Sequence, residues 1–370
     1  MTKAAELAKM GEVLTNSQIG GRRNIVINGA MQVAQRGTSF SLSGTADTFI
    51  TDRFLISNSD TGAWTASQST DSPTGFSNSL KMDCTTADTS PTFLTLMTRF
   101  EGQDLQHLKK GTSSAEKTTL SFFVKSNKTG TYIAELRDID NNRTIGKAYT
   151  ISSADTWEQK IITFDGDTTG AFGNDNGNSL QIIWYLAVGS VYNSGTLATS
   201  WGSRVNANTA VGQVNLADST DNEWYITGIQ LEVGSQTTPF EHRSFGEEQR
   251  LCQRYAIVYS KNGQPNMGDK AIGTGASTNS SGGYQAFIFP QVTMRAVPTL
   301  TVGGSVSDYE ILKYETGYVD VNSSISLFSA SGRSLFVLTF SSATAEAERG
   351  RDVIMRLEGD NSSLLFDSEL

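Results

Sequence analysis

Gly130-Thr131-Tyr132-Ile133-Ala134-Glu135-Leu136-Arg137 is the stretch on which the reading of the fold turns. Tyr132, Ala134 and Leu136 recur at every second position. That is the period of a strand with one face on a core and the other toward water. Turn-forming clusters bracket it, Ser126-Asn127-Lys128-Thr129-Gly130 before and Asp140-Asn141-Asn142 after. Asn, Asp and Gly accept the backbone angles of tight turns, so this pairing of pattern and punctuation predicts an antiparallel strand. The same texture extends outward through Phe49–Ile56, Ser79–Asp83, Phe93–Phe100, Thr118–Lys125, Lys147–Ile151, Glu158–Phe164, Leu180–Ala187 and Trp224–Val233. Further turn signals fall at Asp165-Gly166-Asp167 and from Asn174 to Asn178. About ten short strands in one run predict a β-sandwich or jelly roll.

The pattern breaks at residues 244–256. Ser244 followed three residues later by Glu247 is a capping box, and Glu248, Leu251, Cys252 and Tyr255 then fall on one helical face. Strand-like runs resume at Ala256–Tyr259, Gly283–Phe289, Thr299–Val302, Gly317–Val321, Ser324–Leu327, Ser334–Phe340 and Val353–Leu357. The Gly- and Ser-rich stretch Gly273–Gly283 reads as an exposed loop. At the other end, residues 2–14 read as a short amphipathic helix with Leu7, Met10 and Leu14 near one face. Thirteen residues make a marginal helix alone, so it needs a partner. The expected fold class is all-β: a short N-terminal helix and linker (1–22), a jelly-roll β-sandwich (23–243), a helical connector (244–256) and a second, distal β-sandwich (257–370).

Composition narrows the function. The 370 residues carry 37% hydrophobic residues, 35 glycines and six prolines, enough apolar content for real cores and too little proline for a rigid stalk. Net charge is −9, and no run of Lys and Arg supplies the basic patch a nucleic-acid partner requires. No apolar stretch reaches membrane-spanning length, and MTKAAELAKMGEVL lacks the apolar core of a signal peptide, so synthesis in a cytoplasm is expected. Cys84 and Cys252 are far apart in unlike contexts and read as reduced, buried thiols.

Three segments resemble a known family. Asn28-Gly29, Ala34-Gln35-Arg36-Gly37 and Asp52-Arg53-Phe54 are similar to the opening motif of bacteriophage tail-fibre proteins. Ile229–Gly234 followed by Thr238-Pro239-Phe240-Glu241-His242-Arg243-Ser244-Phe245-Gly246-Glu247-Glu248 and Leu251–Tyr255 resembles the segment that closes the first β domain in fibres of short-tailed and marine phages. Phe289–Thr299 resembles the start of their C-terminal domain. The resemblance implies a jelly roll like those of carbohydrate-binding modules, then a distal β domain, in a homotrimeric virion fibre. It implies host-cell adsorption by non-catalytic binding of a surface glycan or protein. Other virion proteins, a tail tube, adaptor or nozzle, would hold the N-terminal helix through Leu7, Met10 and Leu14. A decoration or assembly protein of capsid or tail is the alternative. A polysaccharide-degrading tailspike is disfavoured because no repeating β-helix period occurs.

Catalytic residues are not expected. The two histidines, His107 and His242, read as a surface-loop residue and a packed junction residue, and no serine sits in a Gly-x-Ser-x-Gly elbow. Asp138 with Asp140, and Asp165 with Asp167, read as turn acids before they read as a glycosidase pair. Asp165–Gly170 begins like a calcium loop but has Thr169 and Asn176 where ligating acids belong, so no cofactor or metal is assigned. Glycans are recognised by aromatic rings that stack on sugar faces. Among Trp64, Trp157, Trp184, Tyr185, Tyr192 and Trp201, the candidates in the first domain are Tyr192 and Trp201, which flank a Gly/Ser/Asn loop; Tyr284, Tyr309 and Tyr314 are those in the second. Receptor contact is expected in the distal domain, farthest from the N-terminal helix.

Overall fold

Tyr132, Ala134 and Leu136 all lie in one core, as their spacing predicts. The computed structural model describes residue 3 and residues 23–261, 270–278, 282–313, 317–342, 350, 352–359 and 361–370. The expected helix at 2–14, with Leu7, Met10 and Leu14, lies outside them, as does Tyr314. Two units make up the chain, the first ending at Glu248 and the second running Gln249–Glu369. Their division falls inside the 244–256 connector.

Among the described residues the first unit contains β1 (Ser39–Phe49), β2 (Leu55–Ser69), β3 (Ser79–Thr86), β4 (Phe93–Glu101), β5 (Thr118–Ser126), β6 (Gly130–Asp138), β7 (Arg143–Ile151), β8 (Glu158–Phe164), β9 (Asn178–Val188), β10 (Gly202–Ser203) and β11 (Glu223–Val233). They hydrogen-bond in the order β10-β7-β6-β9-β4-β2-β3-β11-β5-β8, with β1 also on β2. Every pairing is antiparallel. β2 changes partner midway: Leu55–Ser59 pair with β4 and Ala63–Ser69 with β3. Between them Asp60 and Gly62 adopt φ of 49° and 64°, where the strand bends. The sheet therefore doubles over. Phe122 of β5 meets Tyr149 of β7 at 5.1 Å and Trp184 of β9 at 5.8 Å, although those strands lie far from β5 in the hydrogen-bonded order. Burying a ring such as Phe122 contributes roughly 1.5–3 kcal/mol.

The fibre-like motifs have a structural account. Asn24–Gly29 is not a strand; it lies against β11, with Ile25 N–H donating to Leu231 O at 2.9 Å, and bends at Ile27 and Asn28, where Asn28 φ is 61°. The Asn28 side chain donates to the Val33 and Asp52 carbonyls and accepts from Val33 N–H. Asp52 accepts from Gln35 N–H at 3.1 Å and lies 3.7 Å from Arg36. A Cβ on Gly29 would stand 2.1 Å from Ile229 O, so only glycine lets the segment approach β11. Arg53, expected on a strand, sits instead in a turn with φ of 74° and donates to the Arg99 carbonyl at 2.5 Å. Arg243 meets Glu248 at 3.2 Å and Glu241 at 3.6 Å, and donates to Val26 O at 3.0 Å. The opening and closing motifs thus converge on one buried clasp.

In the second unit, β12 (Ala256–Ser260), β13 (Lys270–Ser277), β14 (Gly283–Ile288), β15 (Thr299–Gly303), β16 (Tyr309–Lys313), β17 (Gly317–Asp320), β18 (Ser326–Leu327), β19 (Phe336–Ser341), β20 (Asp352–Leu357) and β21 (Ser363–Asp367) form two antiparallel sheets. Their orders are β12-β21-β15 and β17-β16-β20-β13-β14-β19-β18. Phe336 of β19 stacks on Phe366 of β21 at 4.2 Å, joining the sheets through a shared core. The stretch expected as an exposed loop from Gly273 is, through Ser277, an interior strand between β14 and β20. Its glycines permit close backbone approach: a Cβ on Gly275 would lie 1.8 Å from Gln285 O. Two helices are named here, α1 (Ser190–Asn193) and α2 (Phe245–Gln253); at the start of α2, Glu247 N–H donates to Ser244 Oγ at 3.3 Å, half of the expected capping box. Among the described residues no helix is long and apolar enough to cross a membrane.

Candidate functional site

The outward face of the first unit's β1-β2-β4-β9-β6 region carries the site. Alternation on β4 sends Leu94 and Leu96 into the core and Thr95, Met97 and Arg99 the other way. Register aligns these with their neighbours in rows. Asp47 faces Ser57, Ser57 faces Thr95 and Thr95 faces Tyr185. Met97 faces Ile183, which faces Glu135; Arg99 faces Gln181, which faces Arg137. Residues paired this way share a sheet face with Cβ atoms about 4.5–5.5 Å apart.

The segment after β9 folds across this face. Ile133, Ile183, Tyr185, Val188 and Ala210 form a small apolar cluster with Phe93, Met97, Tyr192 and Leu197 packed on it. Tyr192, on α1, meets Phe93 edge-on at 5.5 Å, and its carbonyl accepts from Ala210 N–H at 2.9 Å. The sheet face, Tyr192 and Arg204 enclose a cleft of about 220 Å³.

Its electrostatics are uneven. Glu135 is fully buried and spends both oxygens: Oε1 accepts from Thr144 and lies 3.3 Å from Arg204 Nε, and Oε2 accepts from the Tyr185 hydroxyl at 2.5 Å. Burial and then the Glu135 charge push the Tyr185 phenol well above its ordinary range. Burial works against the Arg204 cation, but Glu135 and Tyr185, through charge and hydrogen bonds together, outweigh it and raise that guanidinium. Asp47 accepts from Ser57 at 2.5 Å and stands 4.0 Å from Arg99. Arg137 differs. Among the described residues no carboxylate lies within ion-pair distance of it, and burial together with the Arg204 charge pulls it below its ordinary value. Its Nε is buried without a hydrogen-bond partner, and so are Thr95 Oγ1 and Gln181 Oε1 on the same floor. Buried polar atoms are almost always satisfied, so three orphans lining one cleft mark a place for a hydrogen-bonding ligand.

Of the expected aromatic residues, Tyr192 stands in this cleft; Tyr185, which was not among them, lines it as well. Trp201 does not: its Nε1 donates to Asp165 O at 2.7 Å and Lys110 covers its ring at 5.4 Å. Tyr284 and Tyr309 are corrected to core residues. Tyr284 is buried and stacks on Phe340, and buried Tyr309 donates to the carbonyls of Gly303 and Ser363. Neither offers a face to a sugar. Trp64 and Trp184 are likewise buried. Arg99, Arg137, Gln181 and Arg204 were not singled out from sequence; their signal was the polar half of strands whose apolar half set the core.

The acid pairs have other duties. Lys110 Nζ lies 2.6 Å from Asp138 and 3.0 Å from Asp167, and Arg143 Nε lies 2.7 Å from Asp167. Burial pushes Asp167 up, but hydrogen bonds from Arg143 and Lys110 outweigh it and hold the carboxyl below its usual range. Lys117 lies 2.8 Å from Asp165. The loop at 165–170 thus turns its acids to the protein's own cations. In the second unit Glu310, Asp320 and Glu358 can bring one oxygen each within 4.8 Å of one another, but Arg356 already donates to Glu310 there. His242 packs against Phe76 and Phe240, and His107 lies on a 3-10 turn, Gly102–Leu108. Both cysteines are free and buried, and burial pushes the Cys84 thiol up to about 11.

No family model matches the chain, and no curated protein matches it. Among solved structures, it is similar to the enzymatically active domain of bacteriophage CBA120 tailspike protein 4, at 15% identity and a TM-score of 0.32, covering 57% of this chain and 21% of that one. A CBM4 structure matches at 10% identity and a TM-score of 0.27, covering 56% of this chain and 97% of that one. The family 11 carbohydrate-binding module of Clostridium thermocellum Lic26A-Cel5E matches at 12% identity and a TM-score of 0.27, covering 60% of this chain and 100% of that one.

Proposed function

We propose that the chain is a non-catalytic glycan-binding protein of a bacteriophage fibre, and that the first unit holds a saccharide in the sheet-face cleft. The observation that carries this is the set of buried, partnerless atoms Thr95 Oγ1, Gln181 Oε1 and Arg137 Nε beneath Tyr185 and Tyr192. A sugar ring presents hydroxyls that donate and accept at once, so it answers Gln181 Oε1 and Arg137 Nε together, and its C–H face suits a tyrosine ring. The cleft is smaller than the ~300–1,000 Å³ of drug-sized pockets, which suits one ring of a longer chain. Binding without turnover fits the engaged state of Glu135, whose oxygens are all committed to protein donors and leave none for acid–base work.

The fibre assignment rests on the resemblance of residues 23–37, 51–54, 229–255 and 289–299 to phage fibres. In that setting the chain is a homotrimer on the virion, made in the host cytoplasm and joined to other virion proteins. Repetition turns a weak single cleft into firm host adsorption. The cleft lies in the first unit, so receptor contact moves there from the distal domain that the sequence favoured.

The test is calorimetric titration of the full chain with a saccharide panel, with sedimentation equilibrium alongside. At least one saccharide should bind, and Tyr192→Ala should weaken it roughly two- to twelve-fold, the share of one ring contact. The mass should be three times 39.9 kDa. No binding, or binding indifferent to Tyr192→Ala, removes the cleft reading; a monomer removes the fibre.

A further inference from the structure

We infer that the saccharide held in the cleft is acidic, its anionic substituent seated on the row Arg99–Gln181–Arg137 and faced by Arg204. This deepens the glycan reading and rests on it. The register sets Arg99 and Arg137 on either side of Gln181, on neighbouring strands and one face. Arg99 already donates to the Leu370 carbonyl, while Arg137 is repelled by Arg204, a like charge that an anion between them would relieve. Three guanidinium groups, of Arg99, Arg137 and Arg204, line the cleft against the carboxylates of Asp47 and Glu135. Glu135 is committed to Arg204, and Asp47 to Ser57 with Arg99 beyond. Arg137 has no carboxylate within ion-pair distance among the described residues, and burial with the Arg204 charge outweighs the help it draws from Glu135.

A neutral sugar would satisfy the hydrogen bonds and leave that charge in place. An anionic group satisfies both. A planar guanidinium presents a fork of N–H donors that matches a carboxylate, sulfate or phosphate in a way an ammonium does not. Without ligand, Arg137 is a destabilising charge kept for binding, and that gives the inference a signature no structural arginine shares.

The experiment uses the full chain and matched trisaccharides of galacturonate and galactose, glucuronate and glucose, and mannuronate and mannose, with 6-sulfated trigalactose as the non-carboxylate arm. Affinities are measured at low and high salt, with melting curves of each variant. At least one acidic member should bind about tenfold or more tighter than its neutral twin, the worth of a single charge-assisted hydrogen bond. The sulfated sugar tells whether carboxylate or any anion is read. Arg137→Gln should abolish the preference, so that acidic and neutral twins bind alike, and keep or raise the melting temperature of the free protein; Arg137→Lys should restore part of the preference. Neutral and acidic twins binding alike, or acidic binding indifferent to Arg137→Gln, overturns the acidic assignment and leaves the glycan reading standing. A fall in melting temperature with Arg137→Gln also overturns it, because Arg137 would then be a structural residue. Binding by no member of the panel fails the glycan reading itself and the inference with it.

Discussion

Glu135→Gln is the sharpest probe of how the cleft is held. The substitution keeps the side-chain shape and removes its charge. Glu135 is fully buried and receives hydrogen bonds from Thr144 Oγ1 and Tyr185 Oη and an ion pair from Arg204. A bond to a charged group is worth about 1.5–3 kcal/mol and a neutral one about 0.5–1.5, so each of the three contacts loses about 1 kcal/mol. The total, about 3 kcal/mol, sits at the lower edge of the ~3–5 kcal/mol lost when one partner leaves a buried ion pair. For a unit of this size each kcal/mol moves the melting temperature about 2–4 °C, so a fall of roughly 6–12 °C is expected. Differential scanning calorimetry of the full chain reads it, and the second unit's transition serves as the internal control. A shift below about 2 °C would refute the view that Glu135 anchors Tyr185 and Arg204, because so small a change is within the range of an ordinary surface substitution.

Lys110→Met should destabilise the first unit by about 3–5 kcal/mol, since it strands the buried carboxylate of Asp138 and leaves Asp167 to Arg143 alone. Because Asp167 is depressed in the folded state, its contribution is present above the ordinary carboxylate pKa of about 4 and lost as pH falls through the depressed value; Lys110→Met should move that acid loss to higher pH in a calorimetric pH series. Gly275→Ala should cost about 3 kcal/mol or more in the second unit alone, because the new Cβ meets the Gln285 carbonyl at 1.8 Å and the obstacle is backbone; an unchanged second transition would count against the β13–β14 pairing.

Strands whose buried face is apolar at every second residue were legible: β5, β6, β8 and β9 lie within two residues of where the pattern put them. β1 was not, because Ser39–Phe49 is mostly exposed and rich in Ser, Thr and Gly. The second half of β2 and the whole of β13 were missed for related reasons, polar faces in one and packing glycines in the other. For the site, residue type pointed to Tyr192 and passed over Tyr185. It failed for Tyr284 and Tyr309, whose hydroxyl or ring found partners inside a small core. The arginines were illegible because each alone looks like the wet side of a strand. Arg99, Arg137 and Gln181 become a row only when β4, β6 and β9, separated by long stretches of chain, are laid side by side.

The order of strands has a consequence for synthesis. In the first unit the last strand, β11, lies between β3 and β5; in the second the last strand, β21, lies between β12 and β15. Ala256 therefore waits for Asp367, and Leu80 for Ile226, before either pair can form. A nascent chain holding every strand of a unit but the last still has a gap at the middle of a sheet, with open backbone edges on both sides of it. Such edges are adhesive, and closing them across so much chain is slow. On the ribosome each unit should stay protease-sensitive until its final strand emerges, then become resistant in one step. The first unit reaches that step before the second, so the cleft is finished while β21 has yet to be made.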